Sequence, residues 1–137
     1  MALYQAVNLK QIDVTGGTPQ ALTATWADIG DEINTRGFNK MLLWVDIDIG
    51  DSTNARLRAL AKSTIDGGTL EWEYPILSVS STVSGVEGNY FEWTTDEDQR
   101  VILEISLDNL IEIIQLQVQC EADQTTGTID NLFVHLV

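Results

Sequence analysis

The chain has 137 residues, with 7 Lys and Arg against 21 Asp and Glu, and a formal net charge of −14. This length fits one domain spanning residues 1–137, and a hydrophobic content of 44% can supply a core without disulfides or metal. The negative charge argues against nucleic acid and anionic membranes as partners, because both are bound through clustered Lys and Arg. One Cys and one His exclude a disulfide framework and a cysteine-based zinc site.

Alternation of apolar and polar residues is the dominant pattern along the chain, and it predicts β-strands. Strands are predicted around residues 9–14, 22–26, 41–49, 55–62, 70–76, 90–93, 101–107, 114–121 and 128–136. The best helix candidate is 26–36, over one or two turns. Eight to nine short strands with at most one short helix predict an all-β fold, an antiparallel sandwich of jelly-roll type. Residues 1–14 are expected to form an edge strand or an N-terminal arm.

One hairpin can be predicted in register. A turn at residues 66–68 would bring small and large apolar residues opposite each other on the inner face, with a charged pair outside. The predicted pairs are Ala61 with Trp72, Ala59 with Tyr74, Leu57 with Ile76 and, outside, Lys62 with Glu71.

Residues for nucleophilic catalysis are scarce. His135, the only histidine, lies inside the final predicted strand, and Cys120 falls on the apolar phase of its strand. The carboxylates of Glu71 and Glu73 are two residues apart and are expected on a solvated outer face, with no sign of a cleft. We therefore expect no enzymatic activity, no catalytic residues and no cofactor.

Metal ligands are equally sparse in the sequence. The segment 46–51 resembles a calcium loop only superficially, because Gly50 and Leu57 stand where a helix-loop-helix site needs oxygen ligands. No metal site is predicted. Adventitious Ca²⁺ binding at the loop carboxylates of Asp46, Asp48 and Asp51 stays open.

Several large apolar residues fall on the polar phase of their strands. Leu42 and Trp44 share a face with carboxylates, Leu60 lies between two cations, and the last strand, with Phe133, is apolar on both phases. Such residues indicate either a subunit interface or cover by the chain itself, including a bulge. The predicted interface residues are Leu42, Trp44, Leu60, Phe133, Leu3 and Tyr4.

Several stretches carry a resemblance to a known class of proteins: residues 1–4 (MALY), 25–38 (TWADIGDEINTRGF), 40–45 (KMLLWV), 116–120 (LQVQC) and 126–130 (TGTID). In these stretches the chain resembles small virion structural proteins of tailed bacteriophages, especially jelly-roll capsid decoration or cement proteins. The resemblance implies a protein made in the host cytoplasm that clamps capsid subunits on the virion surface. The implied partners are the major capsid protein or another virion protein, and further copies of this chain, with a homotrimer favoured.

A second hypothesis is that the chain is a carbohydrate-binding jelly-roll module, or a fibre or tail domain that attaches to the host. Residues 128–132 are similar to the last strand of such modules, and Trp44, Trp26 and Tyr90 could stack on sugars. The N-terminal residues have no basic start and no apolar stretch of secretory length, which argues against an exported module. A Trp44 that faces solvent among polar residues would favour sugar binding, whereas a Trp44 within an interface would favour protein contact.

Overall fold

A computed structural model describes residues 10–65, 68–78, 89–94, 99–107, 111–121 and 126–137. These residues form twelve strands and contain no helix, so none is present that could span a membrane. The strands are β1 (Lys10–Asp13), β2 (Gln20–Ala21), β3 (Ala27–Asp28), β4 (Ile33–Asn34), β5 (Lys40–Asp48), β6 (Ala55–Ile65), β7 (Gly68–Tyr74), β8 (Leu77–Ser78), β9 (Phe91–Trp93), β10 (Gln99–Ser106), β11 (Ile113–Cys120) and β12 (Thr128–Leu136).

The strands form two six-stranded antiparallel sheets. Sheet A has the order β1-β12-β5-β10-β8, with β2 also paired to β12. Sheet B has the order β3-β11-β6-β7, with β4 also on β11 and β9 also on β6. The successive long strands β5 and β6, and again β10, β11 and β12, alternate between the sheets, as in a jelly roll. The predicted antiparallel sandwich is confirmed.

The core lies between the two sheets and follows the alternation of each strand. In β5 the inward residues Met41, Leu43, Val45 and Ile47 are fully buried, while the residues between them are half-buried. Sheet B contributes small residues of β6 and the large rings of Phe91 and Trp93, which meet edge to face with centroids 4.8 Å apart. Side chains that point away from this core form the two outer faces of the sandwich.

The helix predicted over 26–36 is wrong, because this segment forms β3 and β4 against the edge of β11. Backbone groups there bond across to β11 rather than along a helix: Ile29 N donates to Leu116 O at 2.9 Å. Gly30 has a φ of +68°, and a Cβ at this position would lie 2.5 Å from Val14 Cγ1. A right-handed helix cannot pass through a residue with this φ. Gly30 and the free edge of β11 therefore decide the local structure.

The count of eight to nine strands is too low because three two-residue strands, β3, β4 and β8, are absent from the predicted set. Strands β3 and β4 share one edge of β11, and β8 pairs with β10. The strand predicted over 22–26 is also displaced, since the structure has the two-residue β2 just before the buried Leu22. Strand β1 forms the outer edge of sheet A, and residues 1–9 lie outside the described residues.

The predicted hairpin register is confirmed over most of its length. Ala61 pairs with Trp72, Ala59 with Tyr74 and Lys62 with Glu71. The Lys62 Nζ lies 3.5 Å from Glu71 Oε2 on the outer face. The prediction fails for Leu57, which pairs with Phe91 because β9 takes the place beside this end of β6. The turn residues 66–67 lie outside the described residues.

A β-bulge explains why β12 is apolar on both phases. Its register against β5 shifts between Ile129 and Asn131. Ile129 and Leu132, which strict alternation would place on opposite faces, are therefore both fully buried, whereas Phe133 points outward. Of the two explanations that the sequence left open, the bulge accounts for Ile129, and Phe133 remains as an apolar residue on the outer face.

Candidate functional site

The outer face of sheet A carries a group of large apolar side chains from three neighbouring strands. Trp44 on β5 lies directly across from Phe133 on β12 and from Ile102 on β10, and Leu42 is the next outward residue of β5. The Trp44 and Phe133 rings are 5.6 Å apart between centroids, and Ile102 is 42% exposed. These four residues are called the sheet A patch below.

The sheet A patch encloses an open pocket of about 500 Å³, lined by its four residues together with Leu43 and His135. His135 pairs across the strands with Leu42 and with Gln11, whose Nε2 lies 3.5 Å from His135 Nδ1. The lining is almost entirely apolar, so the pocket suits an apolar side chain better than a polar ligand.

Charged side chains surround the sheet A patch, and its two cations are already paired. Arg100 lies over the Trp44 ring, 5.7 Å from the centroid, and its Nε is 3.7 Å from Asp46 Oδ2. Lys40 Nζ is 3.2 Å from Glu104 Oε1 on the neighbouring strand. These pairs are partly exposed, so each contributes little to stability.

Three further carboxylates on this face, those of Asp13, Asp48 and Asp130, have no ion pair in the described part of the chain. Asp13 accepts hydrogen bonds from Thr15 Oγ1 and Gly16 N at 3.1 and 3.0 Å. Asp48 Oδ1 accepts from Gly50 N at 2.8 Å, and Asp130 Oδ1 accepts from Thr128 Oγ1 at 2.6 Å. These bonds orient the carboxylates but leave their charge uncompensated.

The outer face of sheet B is built differently, because its aromatic rings are bound to arginines. The Arg58 guanidinium lies 4.2 Å from the centroid of Trp26. Its Nε donates to Gln117 Oε1, and its second donor reaches Glu73 Oε1, both at 2.9 Å. A planar guanidinium can stack on an aromatic ring and donate to two acceptors at the same time. The Arg58 side chain therefore holds Trp26 against the sheet.

A second arginine repeats the arrangement beside the first. Arg56 lies over Tyr90, 5.3 Å from the centroid, and its Nε donates to Glu92 Oε2 at 2.6 Å. The hydrogen bond to Glu92 raises the pKa of Arg56 above its ordinary value and outweighs the desolvation that opposes it. Trp26 and Tyr90 are themselves 6.4 Å apart between centroids.

Alternate glutamines of β11 hold the chain segment 24–30 against sheet B. Gln115 Nε2 donates to Gly30 O at 3.2 Å, Gln117 Nε2 to Asp28 Oδ1 at 2.8 Å, and Gln119 Nε2 to Ala24 O at 2.8 Å. The polar phase of this strand therefore serves the chain's own fold. Its side-chain amides are occupied and are not presented to a ligand.

The predicted interface residues fall into three places. Leu42, Trp44 and Phe133 meet in the sheet A patch, whereas Leu60 belongs to sheet B and is only 7% exposed beside Gln115. Leu3 and Tyr4 lie outside the described residues. Ile102 is missing from the predicted set although it completes the patch, and the signal was present, since it is an apolar residue on the phase of Glu104.

The residues considered for chemistry are dispersed. Cys120 is buried, and His135 lines the apolar pocket. In the described ranges no three His, Cys, Asp or Glu side chains are grouped so that they could hold a metal ion. Asp51, one of the loop carboxylates considered for Ca²⁺, instead accepts from Thr126 N at 2.7 Å and so joins two loops.

Comparison with known proteins shows a likeness of fold. No family model matches the chain, and no curated protein matches it. Among solved structures, it is similar to the SPBc2 prophage-derived protein YomS, with a TM-score of 0.55 and 12% sequence identity. The match covers 94% of this chain and 92% of the other. At this identity the likeness shows a shared fold over nearly the whole length and nothing finer.

Proposed function

We propose that this chain is a non-enzymatic structural protein of a bacteriophage particle, which decorates the capsid surface and stabilises it through protein–protein contacts. The observation that carries the proposal is the sheet A patch. Trp44, Phe133, Ile102 and Leu42 stand together on an outer face, where no other element in the described part of the chain covers them. Contiguous apolar surface of this kind marks interaction sites in soluble proteins.

The chemistry of the sheet A patch suits a protein partner better than a small ligand. Aromatic residues at the centre of an apolar surface supply most of the binding energy in many protein interfaces. Trp44 lies next to Phe133 and lines the apolar pocket with Ile102, while Arg100 lies over its ring. An apolar centre with charged residues at its margin is the arrangement expected of an interface. Many copies on one lattice would give high avidity even if each single contact is weak.

The prophage origin of the structural neighbour supports a setting in a phage particle. YomS is named as a prophage-derived protein, and the two folds agree over nearly their full lengths. The capsid as the partner comes from the resemblance to decoration proteins. The proposal also includes assembly as a homotrimer, to which Leu3 and Tyr4 are proposed to contribute.

The test uses particles of the phage that encodes the chain, purified on a density gradient and separated into heads and tails. Quantitative mass spectrometry is expected to find the chain on heads, in a fixed ratio to the major capsid protein. Particles made without the gene are expected to lose their DNA at lower temperature, and added purified chain should restore their heat resistance.

Two results would overturn the proposal. One is the absence of the chain from purified particles, and the other is its presence on tails alone. Native mass spectrometry of the free chain tests the trimer separately, because a strict monomer both free and on the head would contradict that part only.

A second candidate, carbohydrate binding in a fibre or tail domain, is favoured by one observation. Trp26 and Tyr90 form a partly exposed pair on the outer face of sheet B, 6.4 Å apart. Against it, Arg58 and Arg56 already occupy these rings. Titration of host cell-wall polysaccharide while tryptophan fluorescence is followed separates the candidates, since only sugar binding predicts a saturable change that Trp26→Ala removes.

A further inference from the structure

We infer that the sheet A patch binds a different protein. The partner's contact surface carries an apolar side chain surrounded by Lys and Arg. This inference rests on the proposed function and specifies the chemistry of the partner. Two observations carry it: the apolar pocket, and the carboxylates on the same outer face that have no ion pair in the described part of the chain.

The pocket defines the centre of the contact. It is lined by Leu42, Trp44, Ile102 and Phe133, with His135 at one side, and its volume is about 500 Å³. A protruding aliphatic or aromatic side chain would occupy part of this space and cover the exposed Ile102. Burial of such a central group, with water excluded around it, is the usual form of a binding hot spot.

The charged side chains on the same outer face, called the rim below, define the charge of the partner. Arg100 and Lys40 are already paired with carboxylates, whereas Asp13, Asp48 and Asp130 are not paired in the described part of the chain. The face therefore carries a net negative charge beside the apolar centre, with Asp13 across from Phe133 and with Asp48 and Asp130 at one end of β5. Lys or Arg on the partner would pair with these carboxylates, and complementary rims accelerate association and exclude wrong partners.

A second copy of this chain fits the sheet A patch poorly. Each copy carries a formal charge of −14, so docking two patches face to face would bring like-charged rims together. A homotrimer through other surfaces stays compatible with the inference. The occupant that the charges favour is a basic surface of another chain.

The contrast with sheet B strengthens the assignment to this one face. There, Arg56, Arg58 and Lys62 all pair with carboxylates of the same chain. Four carboxylates of that face, those of Glu32, Glu71, Glu73 and Glu92, therefore have a cation beside them, while Asp28 accepts a hydrogen bond from Gln117. On the face of sheet A, Asp13, Asp48 and Asp130 have no cation beside them in the described part of the chain, and they share that face with the apolar pocket.

The test measures binding of the purified chain to phage particles made without it, by co-sedimentation at increasing salt. The rim variant is Asp13→Asn combined with Asp48→Asn, which keeps the Oδ1 acceptors of both side chains. At about 50 mM salt we expect binding about three- to tenfold weaker than wild type, and a difference that nearly vanishes at about 0.5 M. The control is Asp28→Asn with Glu71→Gln, which removes the same charge from sheet B and should bind like wild type.

The outcomes separate the inference from the function beneath it. Particles that do not bind the wild-type chain overturn the proposed function and this inference together. If the rim variant binds like wild type at every salt concentration, the inference alone is overturned. The inference also fails if the free chain forms an oligomer that Trp44→Ala dissociates, because a second copy then occupies the patch.

Discussion

The two outer faces of the sandwich are built from the same alternation, yet they differ in what the outward side chains meet. On sheet B, Arg58 and Arg56 lie over aromatic rings and bond to carboxylates, and the glutamines of β11 hold the segment 24–30. On sheet A, Trp44 meets Phe133 and Ile102, and no described element covers them. The outward side chains of sheet B are bound by other residues of the same chain. The outer face of sheet A has an apolar patch that a partner can cover.

This difference shows that exposed aromatic residues alone do not identify a binding face. Trp26 and Trp44 are both half-buried and both lie near an arginine. The Arg58 side chain beside Trp26 is 19% exposed and held at three points, whereas the Arg100 side chain beside Trp44 is 72% exposed. The surroundings of each ring, rather than its exposure, separate a structural contact from a candidate interface.

The largest expected effect comes from replacing each of the two tryptophans by alanine in separate variants. Trp44→Ala should weaken binding to particles that lack the chain by about 30-fold, because truncating a central aromatic anchor costs about 2 kcal/mol. Trp26→Ala should bind like wild type and instead lower the free energy of unfolding. Co-sedimentation and urea denaturation of both variants check this pair. Equal binding losses would remove the distinction between the faces.

A smaller difference is expected between the two arginines. Arg58→Ala should lower the free energy of unfolding by about 2 kcal/mol, since it leaves Glu73 and Gln117 without a donor and uncovers Trp26. Arg100→Ala should change it by less than about 0.5 kcal/mol, because an exposed, long ion pair contributes little. Urea midpoints at constant m-value measure both. Similar losses for the two variants would mean that sheet A is also stabilised by its own charges.

The ion pairs of sheet B should also appear in the alkaline pH dependence of stability. The hydrogen bond to Glu32, 2.6 Å long, raises the pKa of Lys62 above its ordinary 10.5, helped by the charges of Glu32 and Glu71 and opposed by desolvation. The stabilisation is therefore complete below pH 10.5 and is lost as the pH rises through the raised pKa.

Lys62→Met isolates this contribution. At neutral pH the variant should be less stable than wild type by under about 1 kcal/mol, and the difference should shrink toward zero above about pH 11. Thermal unfolding of both proteins between pH 8 and 12 follows it, with other titrating groups cancelling in the comparison. A difference that stays constant with pH would show that Lys62 stabilises through its alkyl chain instead.

The smallest expected effect is at Ile102. Ile102→Ser should change the free energy of unfolding by less than about 1 kcal/mol, because the side chain is 42% exposed, while retention on a hydrophobic-interaction column should fall. Its neighbour Val101, 1% exposed, is the control, and Val101→Ser should cost more than about 2 kcal/mol. A large loss at Ile102 would place it in the core rather than in an interface.

The sequence predicted the fold because its information was local and periodic. The alternation in β5, β6, β10 and β11 sets which side chains face inward, and charge and volume together set the register of Lys62 with Glu71. The same alternation pointed to Leu42 and Trp44 as apolar residues on an outer face. Each of these inferences needs only neighbours along one strand or across one tight hairpin.

Where contacts over long distances in sequence decide, the local pattern was insufficient. The strands β3 and β4 form because they can pair with the edge of β11. Leu57 pairs with Phe91 because β9, which is distant in sequence, lies beside this end of β6. The bulge in β12 could not be located from a run that is apolar on both phases, although it decides that Phe133 faces outward. Only the packing of the two sheets selects among such alternatives.

By itself, then, the sequence determined an acidic antiparallel sandwich of jelly-roll type and placed most side chains inside or outside it. The tertiary structure decided which outward residues meet. It gathered Leu42, Trp44, Ile102 and Phe133 from three strands into one patch and left Leu60 buried on the opposite sheet. The reason is physical: alternation fixes the face of a residue within its strand, whereas strand order and register fix its neighbours.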